Sequence, residues 1–506
     1  MDKIISSESM RLCEEANFAA KLADPLELMY IAGKHCAEIF LENLHKYGSF
    51  RRIVIFSGHG NNGGDGVVMA AVLAEQTDFE IVLALAFPPE KFSVSSKYYF
   101  EKLNSAVKVC SAADVVLNRY DLVIDALLGT GCSGIMREPY KTLINKINQS
   151  RRPVFSADLP SGLGSDTAVK ADMTAVIGCF KDILFTAEGI EKSGLLRLAE
   201  LPLTLKPEDE RNIEAAHAGW FAETAPEIPR NVHKYQRGSV LVIGGSAEYF
   251  QAPFLTARSA LRAGAGLVRS AVPFAVQPGS GTLSVIPVSI PAENGAFEKD
   301  SLPYIEKYLT KTDCLAVGPG MGRNPDSRDF IAGLLAINKP MIMDADALFF
   351  AAQLPELVRA RTAVTVLTPH AGEAQTLAKG INKSLPEDNV DAARLLAESY
   401  NAVVLLKGAR TAVAAPDGSV RLNTSGTPAL ATAGSGDVLT GIIAAEMALY
   451  HKEITAELAY TAASRGAFLH GMAGEKAGEK FGASGVIADD LPEIAAMCRT
   501  ELKNFL

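Results

Sequence analysis

The stretch Ile53-Val54-Ile55-Phe56-Ser57-Gly58-His59-Gly60-Asn61-Asn62-Gly63-Gly64-Asp65-Gly66 joins a short apolar run to a glycine-rich turn and then to a helical pattern. That order marks a strand ending in a turn at a helix N-terminus, a place where backbone amides can hold a ligand. Gly58, Gly60 and Gly63 also spell G-x-G-x-x-G, the spacing of a dinucleotide-binding turn. Two features argue against that use. Asp65 would repel a pyrophosphate resting on the same amides, and the paired amides of Asn61 and Asn62 have no part in a turn built on glycine alone. A tight strand-to-helix turn with Asp65 as a capping residue fits the spacing as well.

Outward from this turn, apolar runs at 53–56, 81–87, 122–128, 154–157 and 174–179 alternate with helical segments. Such alternation predicts a Rossmann-like three-layer α/β domain, its parallel sheet covered on both faces and its ligands at the carboxyl ends of the strands. Upstream, residues 7–47 read as helical, with Met10, Cys13, Leu26, Met29 and Ile39 as the apolar stripe. Downstream, residues 201–230 carry Pro202, Pro207, Pro226 and Pro229 among acidic residues and read as a domain connection. A second alternation follows at 240–243, 267–272, 314–317, 341–343, 363–367 and 403–406, then a helix pattern over 437–450. The expectation is two α/β domains, 1–215 and 216–506, in a chain of 506 residues that exceeds what one core serves.

Hydrophobic residues at 48% and charged residues at 21% exclude a disordered chain. A net charge of −9 argues against a nucleic-acid binder that works by broad phosphate neutralisation, though anionic small ligands can still sit on local amides. The seven cysteines are odd in number and scattered without a C-x-x-C pair, which points to a reducing compartment. The start Met1-Asp2-Lys3 lacks a secretory pattern, and no run approaches the ~18 apolar residues of a membrane span, so a cytoplasmic protein without membrane attachment is expected.

Each strand end then supplies polar groups. Asp125 closes one run ahead of the glycine loop Gly129-Thr130-Gly131, and Asp158 precedes Leu159-Pro160-Ser161-Gly162. Either aspartate alone reads as a turn former. Three successive strand-end loops converging on one crevice would, however, bring together oxygens able to hold a hard cation and a carboxylate able to move protons.

In the second half, Thr432-Ala433-Gly434-Ser435-Gly436-Asp437 stands directly before a helix. Small residues let amides approach an anion, and an aspartate at that lip can take a proton from a hydroxyl attacking a phosphoryl group. Around it come Gly244-Gly245-Ser246, Arg258, Arg262, Gly318-Pro319-Gly320-Met321-Gly322, Asp344-Ala345-Asp346, Thr368-Pro369-His370-Ala371-Gly372-Glu373 and Lys407-Gly408-Ala409-Arg410-Thr411. The pair Asp344 and Asp346 suits magnesium or a hydrogen-bond network, with a turn role for each as the alternative. Lys407 suits the phosphates of an adenine nucleotide, although many such lysines are merely solvated.

The strings Asn61-Asn62-Gly63-Gly64-Asp65-Gly66, Asp125-Ala126-Leu127 and Asp158-Leu159-Pro160-Ser161-Gly162 make residues 1–200 resemble the NAD(P)H-hydrate epimerases. The resemblance implies that Asn61, Asn62, Gly63, Gly64 and Asp65 contact the hydrated cofactor, as do Gly129, Thr130, Gly131, Cys132, Ser133, Gly134 and Ile135. It implies Asn62, Asp125 and Ser161 as potassium ligands and Asp158 as the acid/base carboxylate. His59, where lysine is common, and Tyr30-Ile31, where Glu-Asn is usual, depart from the pattern.

Residues 232–496 resemble the ribokinase-like superfamily, and within it the NAD(P)H-hydrate dehydratases that use ADP or ATP, through His233-Lys234, Gly264-Ala265-Gly266 and the strand-end strings above. This likeness implies that Asp437, His370, Ala252, Gly318, Gly320 and Gly322 face the hydrate. It also implies that Lys407, Gly408, Ala409, Arg410 and Thr411, with Gly434, Ser435 and Gly436, hold ADP and its Mg2+. Gln236 after Tyr235, Gln251 before Ala252, and Ala371 after His370 depart from the pattern. Together the two halves imply a bifunctional enzyme with K+, Mg2+ and ADP, whose partners are the hydrates of NADH and NADPH, with a homo-oligomer expected. A kinase of small hydroxylated metabolites shares the Gly-x-Gly-Asp chemistry, and an N-terminal half that only senses ligand or drives oligomerisation is the non-catalytic alternative.

Overall fold

The computed structural model describes residues 3–48, 50–130, 132–206, 211–273, 284–292, 294–450 and 454–502. They fall into two compact units, Met1–Ala215 and Ala216–Leu506.

In the first unit the principal sheet is built from β1 (Arg52–Ser57), β2 (Glu80–Leu85), β3 (Lys108–Ser111), β4 (Leu122–Ala126), β5 (Val154–Ala157), β6 (Met173–Ile177) and β7 (Leu195–Ala199). Their order is β3-β2-β1-β4-β5-β6-β7, all parallel. Ile53, Val54, Ile55 and Phe56 are each 0% exposed, because both faces of a parallel strand are covered and the run is therefore continuously apolar. The chain leaves β1 toward β2 and β3, then returns to the other side of β1 as β4. That reversal opens a crevice beyond the carboxyl ends of β1 and β4, where Asn61, Asn62 and Asp125 stand. The helical region 7–47 resolves into Ser7–Ala19, Pro25–Glu42 and the short turn Leu44–Tyr47. Asp24 caps the second helix through Leu26 N and Glu27 N, with Pro25 at its first position, which explains the break. Met10, Cys13 and Met29 of the expected stripe are buried, whereas Leu26 and Ile39 are half-buried.

In the second unit the strands are β8 (Ser239–Ile243), β9 (Leu267–Pro273), β10 (Ile286–Ile290), β11 (Cys314–Val317), β12 (Met341–Met343), β13 (Thr365–Leu367), β14 (Val403–Leu406), β15 (Ala412–Ala414) and β16 (Val420–Asn423). Their order is β16-β15-β14-β13-β12-β11-β8-β9-β10, parallel except for the antiparallel pairs β14-β15 and β15-β16. The reversal lies between β8 and β11, so the loops Gly244–Ser246 and 318–322 face the crevice.

Two expectations are corrected here. Residues 201–230 are not wholly a connection, since the helix Ala218–Glu223 buries Trp220 and Phe221 in the core of the second unit. The helix expected over 437–450 spans Ser435–Ala448 and takes Ser435 and Gly436 into its first turn. The strands missed from the sequence are mostly edge elements; in β3, for example, Lys108 and Val109 are exposed, so no buried run announces them.

Candidate active sites

In the first unit the loop after β4 and the loop after β5 are locked together by Asp125. Its Oδ1 accepts from Ser161 Oγ at 2.6 Å and Leu127 N at 3.3 Å, and its Oδ2 from Ser161 N at 2.8 Å and Ser156 Oγ at 2.9 Å. Burial pushes the Asp125 carboxyl up from its ordinary range, and these hydrogen bonds oppose that rise. Ser161 Oγ also bonds Leu128 N at 2.8 Å, which fixes the start of the 129–135 loop. Asn62, in the first turn of the helix Asn61–Gln76, is the odd member, because both its amide atoms are buried without a hydrogen-bond partner. A Cβ placed on Gly129 would lie 3.1 Å from Asp158 Oδ2 and 3.4 Å from Asn62 Cβ, so these three residues share one space.

Asp158 itself is buried and left-handed at φ 64°, a conformation that aspartate tolerates better than most residues. Its Oδ1 is held by Lys181 Nζ at 2.5 Å and by Ile177 N at 3.3 Å. Lys181 is 1% exposed, and its Nζ also donates to the Ile177 carbonyl at 2.6 Å. Burial, the Asp158 charge and Glu14 drive the Asp65 carboxyl well above its usual range, and burial with the nearby Asp158 raises Glu14 to about 7. Asp65 is thus no helix cap, since Gly60 holds that position. Gly63 and Gly64 are buried in the same turn, and Asn61 is exposed at its edge. Thr130, Ser133, Gly134 and Ile135 form an exposed lip with Cys132 half-buried, while Gly131 lies outside the described residues. His59 is exposed and pairs through Nδ1 with the Tyr140 hydroxyl at 2.8 Å.

In the second unit Asp437 is the third residue of the helix Ser435–Ala448, whose cap, Gly434, is left-handed at φ 86°. Burial, with Asp344 and Asp346 nearby, raises the Asp437 carboxyl to about 7 against the pull of Lys407. Lys407 Nζ reaches Asp344 Oδ1 at 2.6 Å and stands 3.4 Å from where a Gly436 Cβ would be. Asp344 is engaged on both oxygens, for Thr368 Oγ1 also donates to Oδ1 at 2.9 Å and Thr440 Oγ1 to Oδ2 at 2.7 Å. Asp346 accepts from Gly322 N at 2.9 Å and from Arg323 Nε at 3.0 Å. Both Asp344 and Asp346 thus take part in a hydrogen-bond network at the mouth of the cluster.

The other strand-end loops meet in the same place. A Cβ on Gly318 would strike the Asp344 carbonyl at 1.9 Å, and one on Gly320 would lie 3.1 Å from Ala252 Cβ. His370 caps the helix Ala371–Gly380 through Nδ1, which accepts from Gly372 N at 3.0 Å, and leaves the rest of its ring exposed. The backbone of Lys407 donates to the Pro369 carbonyl at 2.8 Å, joining that loop to the 407–411 turn. Gly408 and Ala409 are exposed in that turn and Thr411 half-buried, but Arg410 is folded inward, its Nη1 donating to the Thr424 carbonyl at 3.4 Å.

Residues that sequence reasoning passed over complete both clusters. Lys181 was legible as the lone cation in the apolar run 175–180 that it ends, and Glu14 carried no signal at all. His470, in the helix Ala456–Phe481, places Nε2 3.1 Å from Ser435 Oγ; burial and the nearby Lys407 lower it to about 4, so it stays neutral. The cavity bounded by His45, Phe50, Arg51, Arg52 and Asp121, about 680 Å³, opens near the amino end of β1 and belongs to neither cluster.

Polar strand-end clusters on parallel sheets, one of them a glycine-capped helix with a buried carboxylate and a lysine at its mouth, define a two-domain α/β enzyme. Residues 240–496 match the family model described as NAD(P)H-hydrate dehydratase, and residues 25–183 match that of the YjeF-related protein N-terminus. The chain belongs to the bifunctional NAD(P)H-hydrate repair enzymes. The enzyme of that name from Moorella thermoacetica is 35% identical over 97% of this chain and 93% of its own length, and that from Archaeoglobus fulgidus is 32% identical over 98% and 100%. Among solved structures, an ADP/ATP-dependent NAD(P)H-hydrate dehydratase from Bacillus subtilis, co-crystallised with ATP and Mg2+, is 24% identical with a TM-score of 0.46, covering 56% of this chain and 97% of its own. A ribokinase-like superfamily protein from Enterococcus faecalis gives 21% and 0.48, covering 59% and 99%.

Proposed function

We propose that this chain repairs hydrated NADH and NADPH. The N-terminal unit interconverts the R and S hydrates, and the C-terminal unit dehydrates the S hydrate with ADP as phosphoryl donor, giving AMP and phosphate. The observation that carries the reading is Asp437, a buried carboxyl raised to about 7 at the amino end of a glycine-capped helix, with Lys407 beside it. A base of that affinity is half-ionised near neutrality, which suits proton abstraction from an alcohol. Hydroxide is a poor leaving group, so the hydroxyl is first made an ester. Asp437 takes its proton, the oxygen bonds the β-phosphoryl group, and AMP leaves. The amides of 434–436 and the Lys407 ammonium are placed to stabilise the transferring charge. The C–O bond then breaks with its electron pair going to phosphate, and loss of a ring proton restores the reduced nicotinamide.

Lys407, Gly408, Ala409 and Thr411 are the residues proposed to hold ADP; the inward Arg410 supports the turn from beneath. Because Asp344 and Asp346 are already engaged, Mg2+ is proposed to reach the site on the nucleotide phosphates, whose negative charge it offsets. His370, Ala252, Gly318, Gly320 and Gly322 are proposed to face the hydrate.

In the N-terminal unit the residues fit K+. Asn62 brings a buried amide oxygen with no partner, and Asp125 and Ser161 bring the anionic and hydroxyl oxygens of a hard-cation set. A bound K+ would order the loops that carry Asn62, Gly129 and Ser161. Asp158 is the proposed acid/base, its Oδ2 facing Gly129 and Asn62.

One spectrophotometric assay tests the whole reading: hydrate supplied with ADP, then with ATP. Return of reduced-nicotinamide absorbance together with free phosphate is expected, and accumulation of a stable phosphorylated metabolite would instead establish a kinase.

A further inference from the structure

The repair chemistry accounts for Asp158 but not for what surrounds it. Lys181 is buried at the end of the apolar run that follows β6, and its ammonium bridges Asp158 Oδ1 at 2.5 Å and the Ile177 carbonyl at 2.6 Å. The Ile177 amide reaches the same Oδ1 at 3.3 Å. The other oxygen, Oδ2, lies 3.1 Å from where a Gly129 Cβ would be, beside the unpartnered amide of Asn62. The two carboxylate oxygens are therefore unequal: one is tied to the protein framework, and the other faces the loop that carries the ligand.

We infer that Lys181 is a positioning residue for epimerisation, which anchors one oxygen of Asp158 so that the other alone meets the reacting hydrate. The inference rests on the epimerase reading of this unit. A lysine is suited to the task because its compact ammonium fits between two acceptors that a planar guanidinium cannot bridge in the same way. Asp158 also needs such an anchor. It sits left-handed just past the end of β5, where the strand amide of Ile177 reaches its Oδ1 only at 3.3 Å, and its charge is felt by the carboxyls of Glu14 and Asp65. These carboxyls come from the helices Ser7–Ala19 and Asn61–Gln76, and Cys36 from Pro25–Glu42 shares the same surroundings. Lys181 is the cation among them, and without it Oδ1 keeps the longer of its two holds, the Ile177 amide at 3.3 Å, against rotation of the carboxyl away from the 129–135 loop.

The test measures epimer exchange of NADH hydrate in the full-length protein with K+ present, for wild type, Lys181→Met and Lys181→Arg. Dehydration of the preferred epimer by the same preparations monitors the rest of the chain. Misplacing a catalytic group by about 1 Å costs on the order of a hundredfold, so Lys181→Met is expected to lower kcat by about that factor while KM changes less than about threefold. Lys181→Arg keeps the charge but not the geometry, and its kcat is expected about tenfold below wild type and above that of the methionine variant. If removal of the buried cation prevents Lys181→Met from folding, the arginine variant decides the matter. A wild-type kcat in the folded variants, or a loss confined to KM, overturns the assignment of Lys181 while leaving the epimerase reading intact. No exchange by the wild-type protein would sink the epimerase reading itself, and the Lys181 assignment with it.

Discussion

At the scale of single residues, the carboxyl of Asp437 makes a claim with a definite sign. Its affinity is raised from 3.8 to about 7, so it binds its proton more tightly in the folded protein than in the unfolded chain. Between about pH 4 and pH 7 the native state holds the extra proton, and the contribution of this group to folding stability declines as pH rises through that window. Activity runs the other way, because the base must be ionised. The dehydration kcat/KM should rise about tenfold per pH unit on the acid side and level off above about pH 7. Asp437→Asn should abolish turnover yet melt no lower than wild type at about pH 8, since the substitution removes a poorly solvated charge. Calorimetry with the assay checks both, and a full rate in the asparagine variant refutes the base.

Asn62 makes the second residue-scale claim. Its buried, unpartnered amide is costly unless a ligand completes it. Replacing K+ by a large organic cation should slow epimer exchange and spare dehydration. Asn62→Ala should abolish the K+ dependence, whereas a K+ response unchanged in that variant would remove Asn62 from the cation site.

Elements explain why the clusters are held so closely. The helices Ser435–Ala448 and Ala252–Arg262 pack backbone to backbone, and a Cβ on Gly441 would come within 2.1 Å of the Thr256 carbonyl. Gly441→Ala should therefore push apart the helix that presents Asp437 and the helix that begins at Ala252. A loss of about 1–3 kcal/mol in stability, the range for overpacking, and a reduced dehydration rate are expected by denaturant titration and assay. Unchanged stability would mean the two helices separate freely. Here the sequence pattern served well for interior strands and poorly at the edges. β1 and β8 stand out as unbroken apolar runs because both their faces are covered, while the edge strands β3 and β10 are partly exposed and leave no such mark. The aromatic pair Trp220 and Phe221 was hidden by the prolines around it, which read as connection although the short helix between them is core.

For the whole molecule, the two clusters use separate residues within separate compact units. Asp158→Asn should stop epimer exchange and leave dehydration of the S hydrate at its full rate, and Asp437→Asn should do the reverse. Loss of both activities from either substitution would count against independent sites. A mixture of both epimers should be consumed completely only when both carboxylates are intact, which a time course of hydrate disappearance reads directly.

The sequence by itself determined the two α/β halves, the strand-end placement of Asn62, Asp125, Asp158 and Asp437, and the family. Each of these depends on local order along the chain: apolar runs, glycine turns and the residues that follow them. Only the tertiary structure decided that Asp344 is engaged by Lys407, Thr368 and Thr440, that Arg410 turns inward, and that Lys181 and Glu14 lie near Asp158 and His470 beside Ser435. Those facts arise from elements far apart in the chain meeting at one crevice, where burial and charge act through space, and spacing along the chain carries no record of either.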